Sequence, residues 1–192
     1  MNEAAINIFD LSNETKDAIK SKNEHKEKIL HFINNENLFR IGDTNVSWRN
    51  AVYLEKVNLL KEKDSKSGWR KLSFLDVVYF DLLVELRGFG LQTKKLLPLK
   101  RAFYETPDRI NNVFLAAFYG YEITLIIFND GSGYIFDPQA LINFEKNARK
   151  RLNKPRVTLE INPYINKALS LLNMPKIKVS QTAQSIAEGS NE

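Results

Sequence analysis

The stretch Phe39–Leu96, FRIGDTNVSWRNAVYLEKVNLLKEKDSKSGWRKLSFLDVVYFDLLVELRGFGLQTKKL, decides how the rest of the chain is read. Ser47 is placed to N-cap a short helix beginning at Trp48, and the apolar Val57, Leu59 and Leu60 follow that helix. The run Asp64–Gly68, DSKSG, is turn chemistry and predicts that Leu60–Lys63 pairs with Trp69–Leu72 as a hairpin. Ser73 then caps a longer helix, with Asp76 three residues on to return the bond of a capping box. Phe74, Val77, Val78, Leu82, Val84 and Leu86 give that helix a broad apolar side, and Gly88 is placed to end it.

A helix, a basic β-wing and a supporting helix in this order make a winged helix-turn-helix pattern. The segment resembles the DNA-binding domain of the MerR family of transcription regulators. Val46-Ser47 stand at the start of the recognition helix, Tyr53 and Glu55 lie within it, and Leu59-Leu60 follow it. The wing matches as Gly68-Trp69-Arg70, then Ser73 and Asp76. Phe80, Leu83 and Leu86-Arg87 keep the helix spacing, and Gly90 falls in register. The resemblance covers about a third of the chain. Two departures stand beside it. Only Thr44 separates FRIGD from NVS, where the family has several more residues, so the first helix of the motif is truncated and Glu27–Asn34 is the candidate to pack in its place. Val52 and Leu54 stand where the family has an arginine and a second aromatic, and Arg49 is the nearest cation one turn earlier.

The resemblance implies a sequence-specific regulator of transcription on double-stranded DNA, with the recognition helix in the major groove. Trp48, Arg49, Asn50 and Tyr53 lie on its early turns. Arg49 and Asn50 have the donor and acceptor geometry for base edges, and Tyr53 is a phosphate contact by similarity to the family. Trp48 reads equally as a contact or a core anchor. In the wing, Lys63, Lys66, Arg70 and Lys71 are expected at phosphates, and Leu59, Leu60, Leu83 and Leu86 in the core. A homodimer is expected, because paired half-sites add effective concentration, with residues 92–119 at its surface. The alternative is a winged-helix protein-interaction or DNA-architectural module without operator-specific reading.

Composition sets the outer bounds. The 192 residues allow one domain plus a small second one, and 43% hydrophobic with 27% charged residues is ordinary for a folded protein. With no cysteine, disulfides, iron–sulfur sites and thiolate metal sensing are excluded. The two histidines, His25 and His31, fall in the polar amino-terminal region and read as solvated helix residues. There is no cysteine nucleophile, no histidine outside the amino-terminal arm and no glycine-rich phosphate loop, so an enzyme is not expected, nor any cofactor or metal. No window approaches a membrane span and the start lacks a signal core, so a cytoplasmic location is expected. Residues 40–101 carry 13 Lys/Arg against 7 Asp/Glu, a net of +6 in a chain whose total is +5. The basic excess therefore sits in the segment that resembles a DNA reader.

Outward from that segment, residues 1–38 read as a polar helical arm, with Ile29, Leu30, Phe32 and Ile33 crowding its end as a docking face. Residues 39–105 form the winged-helix unit, with Pro98 kinking or restarting its last helix. Residues 106–174 read as a small module for dimerisation, or for sensing an effector or protein partner, in the order α-β-β-α-β-α. The whole is therefore α+β. Thr106-Pro107, Asp137-Pro138 and Asn162-Pro163 each place a capping side chain before a proline. Gly120 ends the first of these helices, and Asn129–Gly133 turns one strand into the next. The second helix is expected from Pro138 to about Leu152, ending in Arg149, Lys150 and Arg151. Tyr121, Phe128, Tyr134 and Phe136 read as core ahead of a pocket lining. From Pro175 the tail has no packing face and is expected to be disordered.

Overall fold

The computed structural model describes residues 5–8, 11–35, 38–44, 46–61, 70–147 and 153–182. The chain is α+β, with one four-stranded sheet, a two-stranded ribbon and helices around them. Strand β1 (Ile6–Ile8) is followed by α1 (Asn13–Ser21) and α2 (Asn23–Asn34). Strand β2 (Phe39–Arg40), a 3-10 turn (Ile41–Asp43) and α3 (Trp48–Lys56) come next. Strand β3 (Lys71–Leu72) leads into α4 (Phe74–Gly88), a second 3-10 turn (Thr93–Leu96) and α5 (Leu97–Tyr104). Then α6 (Pro107–Phe118), β4 (Thr124–Phe128), β5 (Gly133–Phe136), α7 (Pro138–Asn147), β6 (Arg156–Glu160) and α8 (Asn162–Leu171) complete the order. The last six elements follow the α-β-β-α-β-α order expected of residues 106–174.

Helix α4 is the axis of the core. Ser73 and Asp76 form the expected capping box: the Asp76 amide donates to Ser73 Oγ at 3.1 Å, and the Ser73 amide donates to Asp76 Oδ2 at 2.8 Å. Leu75, Val77, Val78, Leu82 and Leu83 are all buried, because α4 is covered on several sides. Helices α2 and α8 pack along it, and Phe74 meets the rings of Phe32 at 5.0 Å and Phe118 at 5.8 Å. Gly88, expected to end the helix, is its last residue; the reversal falls two residues later. Gly90 takes φ +84°, and the Leu91 amide bonds back to the Leu86 carbonyl at 3.1 Å.

The sheet runs β1-β5-β4-β6, with β1 parallel to β5 and the other pairs antiparallel. All five residues of β4 are buried, so the strand reads as an unbroken apolar run instead of an alternating one. Leu125, Ile127 and Ile135 face the main core, while Ile126, Phe128, Tyr134 and Phe136 form a second cluster with Phe144 of α7. The aromatic residues of this hairpin are therefore core. The main apolar cluster extends from Ile6 through α4 to Leu169, across the boundaries expected at 38/39 and 105/106. The docking face at the end of α2 is real: Ile33 is fully buried, and α2 packs on α4 and α6.

Several expectations are corrected. Among the described residues, Lys71-Leu72 pairs antiparallel with Phe39-Arg40 and not with Leu60-Lys61, joining the ribbon to the segment before α3. Residues 62–69, which include the DSKSG turn, Lys63, Lys66 and Trp69, lie outside the described residues. The truncated first helix is a single 3-10 turn, Ile41–Asp43, and Glu27–Asn34 covers α4 and α6 instead of standing in for it. Of the three capping side chains before prolines, only Asp137 caps, accepting from the Ala140 amide at 2.8 Å. Thr106 donates back to the Ala102 carbonyl at 2.9 Å. Asn162 is drawn inward, accepting from the Ile123 amide at 2.7 Å and donating to the Tyr121 carbonyl at 2.9 Å. The tail is not free from Pro175 onward: Ile177 is held by both amide atoms of Asn166, and the amides of Ser180 and Gln181 donate to the Gly120 carbonyl. Arg149, Lys150 and Arg151 lie outside the described residues.

Candidate nucleic-acid interface

Helix α3 is built so that one side is anchored and the other left open. Ser47 caps it, accepting from the Asn50 amide at 3.2 Å. Ala51 and Leu54, three residues apart, point inward and are 3% and 1% exposed. The opposite side carries Arg49 and Tyr53, flanked by Trp48 and Asn50, all exposed. Trp48 is 51% exposed, which removes the core-anchor reading for it. The helix ends at Asn58, whose φ of 56° lets the Leu59 amide reach the Leu54 carbonyl at 2.9 Å. Leu59 and Leu60 then turn into the core, as do Leu83 and Leu86 on α4.

Four contacts fix this helix and the residues just after it to the body. The Tyr79 hydroxyl, wholly inside, donates to the Leu59 carbonyl at 2.7 Å. Burial, and then the nearby Asp76 charge, push the Tyr79 phenol far above its ordinary range, so it stays a donor at any physiological pH. Lys100 Nζ donates to Asn58 Oδ1 at 2.7 Å. On the outer side, the Tyr53 hydroxyl shares a 3.2 Å hydrogen bond with Thr93 Oγ1, and the Arg87 guanidinium lies 5.1 Å from the Tyr53 ring centroid. Sequence reasoning gave no role to Arg87, Thr93 or Lys100. Arg87 alone left a trace, as the cation closing the Leu86-Arg87 pair.

The wing residues fare differently from the helix residues. Arg70, expected at phosphate, is turned inward and is only 8% exposed. Its Nη2 donates to the Lys61 carbonyl, and its Nη1 lies 3.6 Å from Glu55 Oε1 on α3 without a hydrogen bond of its own. A guanidinium taken out of water needs such partners, and these occupy the group that was to meet DNA. Lys71 is exposed, on the ribbon strand opposite Arg40. Lys63 and Lys66 are outside the described residues. The residues that the structure leaves exposed here are therefore Trp48, Arg49, Asn50 and Tyr53 around the early turns of α3, with Arg87 stacked on Tyr53 and Lys71 on the neighbouring ribbon.

This surface offers hydrogen-bond donors, an amide that both donates and accepts, and flat aromatic faces. Among the described residues, no three His, Cys, Asp or Glu side chains gather where they could hold a metal ion. No helix among those residues is long and apolar enough to cross a membrane. The fold and site define an α+β protein with an exposed polar-aromatic helix face. No family model, curated protein or solved structure matches the chain.

Proposed function

We propose that the chain is a sequence-specific double-stranded DNA-binding regulator of transcription, acting as a homodimer, with α3 in the major groove. The observation that carries this reading is the solvent exposure of Trp48, Arg49, Asn50 and Tyr53 on the early turns of α3. A recognition helix meets base edges with such turns. Arg49 suits the O6/N7 edge of guanine and Asn50 the N6/N7 edge of adenine. The order of β2, α3, β3 and the capped α4 is similar to a MerR-like winged helix in which β2 and β3 form the base of the wing. Lys71, with Lys63 and Lys66, supplies its phosphate contacts. Arg70 is no longer one of them.

In vitro selection of duplexes, followed by fluorescence anisotropy over a salt series, tests this reading. A selected duplex should bind tighter than its scrambled counterpart. Arg49→Ala should narrow that gap by about 1–3 kcal/mol while leaving the circular dichroism unchanged. No enrichment, or an unaltered gap in a folded Arg49→Ala protein, refutes it.

One observation favours the second reading, a protein-interaction or DNA-architectural module. The first helix of the motif is reduced to the turn Ile41–Asp43, which leaves α3 without the partner helix that crosses the DNA backbone in helix-turn-helix proteins. Equal affinity for selected and scrambled duplexes, or none for either, is its signature.

A further inference from the structure

The second 3-10 turn, Thr93–Leu96, lies between two surfaces. Thr93 bonds the outer face of α3 through Tyr53, and two residues on Lys95 reaches the turn between β4 and β5, where its Nζ donates to Asn129 Oδ1 at 3.2 Å. There a cleft of about 370 Å³ is lined by Lys95, Phe128, Asn129, Asp130, Lys154 and Pro155. The three segments that form it are held together by backbone. A side-chain carbon added at Gly131 would come within 2.6 Å of the Lys95 carbonyl oxygen, so only glycine lets the two turns close to this distance. The Asn129 amide donates to the Pro155 carbonyl at 3.2 Å, which fixes the segment carrying Lys154.

Among the described lining residues two lysines stand against one carboxylate, a net of +1. That carboxylate, Asp130, is turned back on its own loop, accepting from the Ser132 amide at 2.9 Å and the Ser132 hydroxyl at 2.6 Å. These bonds first, and then the charge of Lys154, hold Asp130 below the ordinary carboxylate range, so it stays an anion that offsets part of the lysine charge. Lys95, Lys154 and Asn129 line the cleft beside the apolar Phe128 and Pro155. A net positive charge on a cleft whose backbone segments are held close together suits a phosphodiester better than an apolar ligand.

We propose that this cleft holds backbone phosphate of the same DNA that α3 reads, so that residues beyond the winged-helix segment extend the footprint. The proposal rests on the DNA reading above, but it concerns different residues and fails separately. Each phosphate neutralised contributes about 0.9 to the slope of log affinity against log salt.

The test uses the full chain and its Lys95→Gln/Lys154→Gln variant, with Lys95→Arg/Lys154→Arg as the charge-keeping control. Salt titrations on selected and scrambled duplexes should give the Gln variant a slope shallower by about 1 to 2 on both, with the ratio of the two affinities kept. The Arg control should restore the parent slope. Amide chemical shifts supply the independent readout: on adding duplex to the parent, Asn129 and Ser132 should move together with α3, and in the Gln variant α3 alone should move. If α3 shifts while Asn129 and Ser132 stay still and the slope is unchanged, the cleft proposal is overturned and the α3 reading stands. If no amide of α3 moves, the DNA reading fails and takes the proposal with it. If inorganic phosphate saturates the cleft and duplex does not displace it, the cleft is a small-anion site and the proposal is overturned.

Discussion

Raising the pH should unfold this protein from its centre, and Tyr79 sets where that begins. The Tyr79 side chain is fully buried and its hydroxyl donates to the Leu59 carbonyl. Burial first, and the Asp76 charge second, raise its folded pKa well above the ordinary 10.0. The sign follows from linkage. A phenol whose folded pKa is raised contributes stability that is complete below pH 10 and is lost as pH rises toward the folded value, because the unfolded chain releases the proton first. The loss is about 1.4 kcal/mol per pH unit, or about 2 kcal/mol from Tyr79 alone between pH 10 and about pH 11.5. Tyr104, raised by burial first and then by the charge of Asp76, to whose Oδ1 its hydroxyl donates at 2.6 Å, acts in the same direction. Against a typical total of about 5–15 kcal/mol, that is a visible fraction. Urea unfolding followed by circular dichroism at stepped pH measures it, with tyrosinate absorbance recorded in parallel. Tyr79→Phe should flatten the alkaline limb while costing about 1–3 kcal/mol at neutral pH, since the Leu59 carbonyl loses its partner. If all seven tyrosines ionise near pH 10 with the dichroism intact, the reasoning is wrong.

Leu83→Ala should lose about 2–5 kcal/mol in urea unfolding, because the side chain is fully buried on α4; a loss under about 1 kcal/mol would mean that the site collapses or is not core. Arg70→Ala should lower stability and weaken binding to selected and scrambled duplexes alike, without the shallower salt slope of a lost phosphate contact. A salt slope reduced by about 0.9 in a fully stable variant would return Arg70 to the DNA surface. Light scattering should give twice 22.2 kDa for the homodimer, through a surface other than the apolar faces of α5 and α6, which the monomer's own core consumes. A mass of 22.2 kDa at every accessible concentration, with DNA bound as one protein per site, would remove that part of the proposal.

What was legible in the sequence was local. Ser47 and the Ser73–Asp76 box act within one helical turn, so the residues that make them also announce them. The order of elements after residue 106 was legible for the same reason, through Gly120 and the Asn129–Gly133 turn. Long-range pairing was not. Strand β1 joins β5 more than a hundred residues away, and nothing in Ile6–Ile8 names that partner. Two-residue strands such as β2 and β3 carry no period to read, and turn chemistry at DSKSG suggested the nearer pairing, Leu60–Lys63. The return of residues 177–181 to Gly120 depends on backbone bonds and on Asn166, none of which leaves a hydrophobic pattern.

Arg70 shows why a residue's place in a motif and its role can separate. It holds the wing position of the resembled pattern, yet its guanidinium lies inside, on the Lys61 carbonyl and beside Glu55. Glu55 is on α3, and its half-exposed carboxylate is a charge of the wrong sign for a phosphate-facing helix. An arginine 3.6 Å away offsets part of that charge and also ties the ribbon to the helix. On the DNA reading, then, Arg70 favours binding by trimming the field around α3 and fixing its angle, without touching the duplex. Spacing in a sequence carries the position of a cation along the chain. Whether that cation faces solvent or a carboxylate is settled by what the fold brings beside it, and here that is Glu55.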